Sequence, residues 1–161
     1  MTMRHVADVT HTIEVDLPAT PATAGVARSA VCAVAREHGA HALDLERIAL
    51  AVSEAVTNSI LHAYGASAAG TVRVWAAACA GELSVLIADE GCGLGAAGPS
   101  GGLGLGVPIM RHSCDALTMS RRAAGGTLVE MRFNLCEREL DARSEGAAAH
   151  SGRLTPVLCA A

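Results

Sequence analysis

A carboxylate and an amide stand four residues apart in the segment S-E-A-V-T-N, at Glu54 and Asn58. On a helix this spacing places both side chains on the same side, one turn apart. An asparagine oxygen is a neutral, hard ligand suited to Mg²⁺, and a neighbouring glutamate can accept a proton from an attacking hydroxyl or water. Such a pair is more often a solvated helix face, so its interpretation depends on what else the chain carries.

Two further segments combine glycine with residues that could contact a nucleotide. The first is A-D-E-G-C-G-L, in which Asp89 ends a strand-like run and is followed by Gly91 and Gly93. A carboxylate at that place can accept a hydrogen bond from an exocyclic amine, which would select adenine over guanine. The second is S-G-G-L-G-L-G-V-P, whose alternating glycines are Gly102, Gly104 and Gly106. Glycines let backbone N–H groups approach phosphates, and a helix that begins at Pro108 would present its positive end to them.

The composition excludes several other classes of site. All twelve basic residues are arginines, so a Walker-type P-loop and Schiff-base chemistry, which both need lysine, are excluded. A net charge of -4 argues against a protein that binds the nucleic acid backbone, and an aromatic content of 2% leaves few platforms for stacked bases. The order of the three segments, closed by Gly126 and Thr127, therefore predicts a nucleotide site without a P-loop.

The elements that must position these residues are predicted from the hydrophobic periodicity. The predicted elements are a strand over 12–17, helices over 22–38 and 44–64 with Asp44 as N-cap of the second, a hairpin over 71–78 and 82–88, a short helix over 108–114, and strands over 115–120 and 126–134. Residues 1–136 would form one α+β domain, a two-layer sandwich with a mixed, mostly antiparallel sheet and helices on one face. Residues 137–161 would form a largely disordered tail.

The cellular location of the protein and the state of its cysteines are predicted from features that its sequence lacks. No apolar run approaches the length of a membrane span, and the first residues have no apolar region typical of a signal peptide, so we expect a soluble cytoplasmic protein. The six cysteines show neither a C-x-x-C motif nor a cluster with metal-ligand spacing. We expect them to be reduced and mostly buried, with Cys92 the most reactive.

Four segments resemble a known family. S-E-A-V-T-N-S-I-L-H-A-Y resembles the N box of the GHKL ATPase superfamily, A-D-E-G-C-G-L its first glycine box, G-L-G-L-G-V-P-I-M its second, and G-G-T-L-V-E-M-R-F its closing strand. Within the superfamily the chain is similar to the bacterial anti-sigma factor serine/threonine kinases. The resemblance covers roughly residues 12–133.

This resemblance implies a Bergerat fold that binds ATP and Mg²⁺. Carried over to this chain, it implies that Glu54 is the general base, Asn58 the magnesium ligand and Asp89 the residue that recognises adenine. The resemblance further implies that the pocket and its lid are shaped by Gly91, Gly93, Gly102, Gly104 and Gly106, that Thr127 lies near adenine, and that Arg28 docks a partner.

The function implied is that of an anti-sigma factor kinase. Such a protein phosphorylates a serine or threonine of an anti-sigma-factor antagonist with a STAS domain, sequesters a sigma factor, and often forms a homodimer, without contacting nucleic acid or membrane. Two alternatives remain open. The second glycine segment is closer to switch kinases that act on scaffold proteins of stress signalling. The lid between Gly93 and Gly104 contains neither Arg nor Lys, which favours a non-catalytic module that binds ATP and sequesters its partner.

Overall fold

A computed structural model describes residues 11–64, 70–91 and 105–135 of the chain. These residues form an α+β domain. Its elements are β1 (His11–Pro18), α1 (Thr23–Glu37), α2 (Ala42–Asn58), a π-helical segment (Ser59–Tyr64), β2 (Thr71–Cys79), β3 (Glu82–Asp89), α3 (Gly106–Ser113), β4 (Ala116–Arg121) and β5 (Thr127–Asn134). The predicted elements are thereby confirmed in type and order, and most of their ends differ by one or two residues.

The strands form one sheet in the order β1-β2-β3-β5-β4, and all four pairings between these strands are antiparallel. Along β3, buried and half-buried residues alternate strictly, as expected of a strand with one face against a core. The buried residues of the helices and of the sheet belong to one hydrophobic cluster. The predicted two-layer α+β class is therefore confirmed.

The core is built almost entirely from aliphatic side chains. Its fully buried members include Val31 and Val34 of α1, Ile48, Val52 and Val56 of α2, and Val74, Leu83, Ile87, Met131 and Phe133 of the sheet. Phe133 is the single phenylalanine of the chain and is completely buried. Small side chains allow α1 and α2 to lie close to the sheet, which fixes the position of the α2 face that carries Glu54 and Asn58.

The start of α2 differs from the prediction. The helix begins at Ala42, and its N-cap is His41, so the prediction of Asp44 as N-cap was wrong. Asp44 instead occupies the third helical position, where its Oδ2 accepts a hydrogen bond from the backbone N–H of His41 at 3.3 Å. An acidic side chain can satisfy free N–H groups of a helix from either position, and the sequence pattern does not distinguish them.

The end of α2 also departs from the predicted single helix. The α-helix stops at Asn58, and Ser59–Tyr64 continues it as a wider π-helical segment. This segment carries Ala63 against Gly91, where an added Cβ would lie only 2.3 Å from the carbonyl oxygen of Ala63. A change of helix type directly after Asn58 is in keeping with the frequent occurrence of π-helical turns at functional sites.

Arg47 joins three elements at the other end of α2. Its side chain is only 10% exposed, and its guanidinium donates to Oδ2 of Asp115 at 2.9 Å and to the carbonyl of Asn134 at 2.7 Å. It also pairs with Asp44 at 2.9 Å and lies 5.4 Å from the ring centre of Phe133. The cation therefore links the start of α2 to the residue before β4 and to the last residue of β5.

Replacing Arg47 with methionine is expected to lower the free energy of unfolding by about 2 kcal/mol, because the buried carboxylate of Asp44 and the half-buried carbonyl of Asn134 lose a charged donor. Urea denaturation followed by circular dichroism measures the change. Arg36→Met, which removes an exposed arginine from α1, is the matched control and should change the free energy of unfolding by less than about 0.5 kcal/mol. Equal stability of the Arg47 variant and the wild type would contradict a stabilising role for this cluster.

Cys32 and Cys114 are buried, as predicted, and Cys79 is half-buried; none of the three forms a disulfide. Burial raises the pKa of the Cys32 and Cys114 thiols. Both therefore stay protonated at neutral pH and pack as small apolar groups. Cys92, Cys136 and Cys159 lie outside the described residues.

Within the described ranges, no helix has the length and hydropathy needed to cross a membrane.

Candidate functional site

Glu54 and Asn58 lie on the last two turns of α2, and both are half-buried. The start of α3 comes directly over them. A Cβ built on Gly106 would lie 3.1 Å from Oε2 of Glu54 and 2.9 Å from Nδ2 of Asn58. The two side chains therefore end beside the same point, as their spacing predicts, and glycine is the residue that leaves their polar ends uncovered.

Asp89 ends β3 and is 1% exposed. Its Oδ1 accepts two backbone hydrogen bonds, from Gly91 at 3.1 Å and from Thr127 at 3.0 Å. Both bonds end on the same oxygen, and no bond between described residues ends on Oδ2. The carboxylate is thus held in one orientation by backbone groups while its second oxygen can accept a hydrogen bond from a ligand.

The turn between β4 and β5 approaches Asp89 closely. Gly126 has a φ of 86°, in the left-handed region that favours glycine, and a Cβ there would lie 2.0 Å from the carbonyl oxygen of Asp89. Thr127 follows, is 8% exposed, and donates its N–H to the Asp89 carboxylate. The structure therefore places Thr127 directly beside Asp89.

Gly91 connects the two halves of this arrangement. Its N–H donates to Asp89, while its α-carbon packs against Ala63 in the π-helical segment that follows Asn58. A side chain at position 91 would separate β3 from that segment. The structure therefore places the predicted residues in two groups, one of Glu54, Asn58 and Gly106 and one of Asp89, Gly91 and Thr127. The contact of Gly91 with Ala63 connects the second group to the segment that follows Asn58.

Arg28 lies on the exposed side of α1. Its Nη1 donates to Oγ of Ser53 at 3.4 Å, so it is placed beside the residue that precedes Glu54. It lines a groove of about 390 Å³ between α1 and α2, together with Cys32, Arg36 and Glu46. The other predicted residues, Gly93, Gly102 and Gly104, lie outside the described part of the chain, as does the whole predicted lid between Gly93 and Gly104.

Sequence reasoning missed Arg122. Its Nη1 donates to the backbone carbonyl of Asp89 at 2.7 Å, across the turn that joins β4 and β5. Arg122 belongs to the segment R-R-A-A-G-G, at the junction of the predicted strands 115–120 and 126–134. Two arginines beside a pair of glycines could have indicated a long donor side chain near a close backbone approach, but no spacing rule assigns its acceptor.

The residues present fit a magnesium nucleotide. A Cβ on Gly106 would crowd the amide of Asn58 and the carboxylate of Glu54, so glycine at this position keeps both polar groups accessible to a ligand. Among the described residues, no three His, Cys, Asp or Glu side chains are placed to hold a metal ion. Mg²⁺ keeps several waters and binds largely through substrate phosphates, so a single amide oxygen such as that of Asn58 would be a sufficient protein contribution.

Comparison with known proteins identifies the family of the chain. The family model of the histidine kinase-like ATPase domain matches residues 17–133. The chain is 34% identical over 106 residues to the Serine-protein kinase RsbW of Bacillus licheniformis, covering 66% of this chain and 65% of that protein. It is 31% identical over 105 residues to the Anti-sigma F factor of Clostridium botulinum (strain Eklund 17B / Type B), covering 57% of this chain and 73% of that protein.

Among solved structures, the RsbU and RsbW domains of Rv1364c from Mycobacterium tuberculosis match with a TM-score of 0.62 at 24% identity, over 78% of this chain and 33% of that chain. That likeness shows a shared fold. The matches to the first two RsbW relatives span 65% and 50% of the length of those proteins.

Proposed function

The chain belongs to the histidine kinase-like ATPase domain family, whose members bind ATP, and from that membership we propose that it is a serine/threonine protein kinase of the anti-sigma factor type. Its proposed substrate is a Ser or Thr hydroxyl of an anti-sigma-factor antagonist with a STAS domain, and its second proposed partner is a sigma factor. The observation that carries this proposal is the convergence of Glu54 and Asn58 on Gly106 at the start of α3.

Each residue of the site has a proposed role that its surroundings support. Asp89 accepts a hydrogen bond from the adenine amine on the oxygen that the backbone bonds leave free. Asn58 offers an amide oxygen to Mg²⁺. Glu54 accepts the proton of the partner's hydroxyl as that oxygen becomes a nucleophile. The bound nucleotide supplies the phosphoryl group, and positioning together with charge neutralisation provides most of the rate enhancement in such reactions.

The helix surface around Glu54 supports a protein rather than a small molecule as the phosphate acceptor. Leu43 and Leu50, spaced so that they share the Glu54 side of α2, are 71% and 47% exposed. Arg28 lies beside this surface through its bond to Ser53. We propose that the antagonist docks here, with apolar contacts to the leucines and an acidic group near Arg28. Phosphorylation would then add a charge of about −1.5 to −2 close to Glu54 and release the product.

A non-catalytic sequestering module is the second candidate. The observation in its favour is the absence of Arg and Lys between Gly93 and Gly104. Without a lid cation, neutralisation of the phosphate charge depends on Mg²⁺ and on backbone N–H groups at the start of α3.

Incubation with γ-labelled ATP, Mg²⁺ and purified candidate proteins separates these possibilities. The proposal expects label on a Ser or Thr of a STAS-domain antagonist. Label on a scaffold protein of stress signalling, and on no antagonist, would identify the switch kinase instead. ATP binding together with a stable unlabelled complex would identify the sequestering module.

Asn58→Ala is expected to remove most of the increase in ATP affinity that Mg²⁺ provides. If the wild type binds ATP more tightly with Mg²⁺ than with EDTA, the ratio of the two dissociation constants should fall by about tenfold in the variant, because a ligand to a charged group is lost. Calorimetric titration in both buffers measures the ratio. Thr57→Ala, at the preceding position of α2, is the matched control, and a wild-type ratio in Asn58→Ala would remove this residue from the metal site.

A further inference from the structure

The backbone of Asp89 leaves the sheet at the point where its side chain enters the site. The ladder between β3 and β5 ends at the pair Ala88 and Leu128, one residue before Asp89 would face Thr127. There the N–H of Thr127 donates to the Asp89 carboxylate at 3.0 Å. The N–H of Thr127 on β5 therefore bonds to the side chain of Asp89 and not to its carbonyl. That buried carbonyl needs another hydrogen-bond donor.

Arg122 is that donor, with Nη1 at 2.7 Å from the Asp89 carbonyl oxygen. The turn itself fixes where this side chain begins. The N–H of Gly125 donates to the carbonyl of Arg122 at 3.1 Å, and the N–H of Arg122 donates to the carbonyl of Gly126 at 3.1 Å.

The contact between Arg122 and Asp89 lies next to a small cleft and a close backbone approach. Arg122 lines a small cleft with the acidic residues Asp16 and Glu90 and with Arg73. Gly126 packs against the same Asp89 carbonyl, since a Cβ there would lie 2.0 Å from the oxygen. The turn therefore fixes the backbone of Arg122, and the bond to the Asp89 carbonyl holds its guanidinium.

We propose that Arg122 is a positioning residue for base recognition: by holding the main-chain carbonyl of Asp89, it keeps the Asp89 carboxylate directed at the exocyclic amine of adenine. This inference rests on the proposed role of Asp89. Without the guanidinium, the buried carbonyl lacks a partner and competes with the carboxylate for the N–H of Thr127. The carboxylate then loses one of the two bonds that orient it, and the preference for adenine over guanine weakens.

The test is the ratio of the dissociation constants for GTP and ATP, measured by calorimetry with the full chain and Mg²⁺. In Arg122→Met this ratio is expected to fall by about tenfold relative to the wild type. Arg122→Lys, which keeps a charged donor on a long side chain, should recover part of the preference. Arg132→Met, which removes an exposed arginine from β5, is the matched control and should keep the wild-type ratio.

A merely structural role for Arg122 would weaken both nucleotides alike and leave the ratio unchanged, which would overturn the proposal. If Arg122→Met does not fold, Arg122→Gln takes its place. Its side chain is shorter than that of arginine and carries no charge, so the same fall is expected, and an unchanged ratio there is equally decisive.

Failure of this inference is distinguishable from failure of the proposed function. If the wild type binds neither ATP nor GTP, the proposal of an ATP site is itself contradicted. The wild type can instead prefer ATP, with the preference lost in Asp89→Asn and kept in Arg122→Met. That result would leave the proposed ATP site intact and contradict only the role of Arg122.

Discussion

Glu54→Gln is expected to reduce the rate of phosphoryl transfer by about 10²- to 10⁴-fold while leaving ATP binding nearly unchanged. The amide has the shape of the carboxylate and fits beneath Gly106, where a Cβ would lie 3.1 Å from Oε2. It cannot accept the proton of the attacking hydroxyl. Single-turnover transfer of labelled phosphate to the antagonist measures the rate, and calorimetry measures the affinity for ATP.

Glu130→Gln is the matched control, because Glu130 is an exposed carboxylate on β5. It should transfer phosphate at the wild-type rate. Transfer by Glu54→Gln within about threefold of the wild type would mean that positioning and charge neutralisation suffice and that Glu54 is not the base.

Asp89→Asn is expected to weaken ATP binding by about ten- to a hundredfold, because a hydrogen bond to a charged group is lost. The substitution should change the preference for ATP over GTP more strongly than it changes the free energy of unfolding. If the amide oxygen keeps the bonds from Gly91 and Thr127, the amide nitrogen takes the place of Oδ2. That nitrogen is a donor and would face the amine of adenine unfavourably, whereas it would suit the carbonyl that guanine carries at the same ring position.

The preference between ATP and GTP is therefore expected to shrink or reverse in Asp89→Asn. Paired titrations with the two nucleotides measure it, and Glu14→Gln, which alters an exposed carboxylate on β1, serves as the control. An Asp89→Asn variant that discriminates against GTP as strongly as the wild type would show that another group recognises the base.

The sequence predicted those parts of the site that depend on regular periodicity. The helical spacing of four residues was sufficient to place Glu54 beside Asn58, and the alternation along β3 was sufficient to place Asp89 at the end of a strand. Both follow from local backbone geometry, which a pattern of apolar and polar residues reports directly. The order of the glycine segments then allowed the family to be recognised.

What the sequence did not predict depends on contacts between distant segments. The π-helical segment after Asn58 carries Ala63 against Gly91. The bond from Arg122 to the Asp89 carbonyl joins the turn between β4 and β5 to the end of β3, 33 residues earlier in the chain. Arg47 likewise meets its acceptors only after β5 is in place. A periodic pattern of apolar and polar residues carries no information about such contacts, because tertiary packing determines which distant residues meet.

The measurement that tests the central claim most directly is calorimetric titration of the unaltered full chain with ATP and with GTP in the presence of Mg²⁺. The geometry of Asp89, Asn58 and Gly106 predicts one ATP bound per chain, with GTP bound at least about tenfold more weakly. Absence of ATP binding, or equal affinity for the two nucleotides, would contradict an adenine nucleotide site built from these residues.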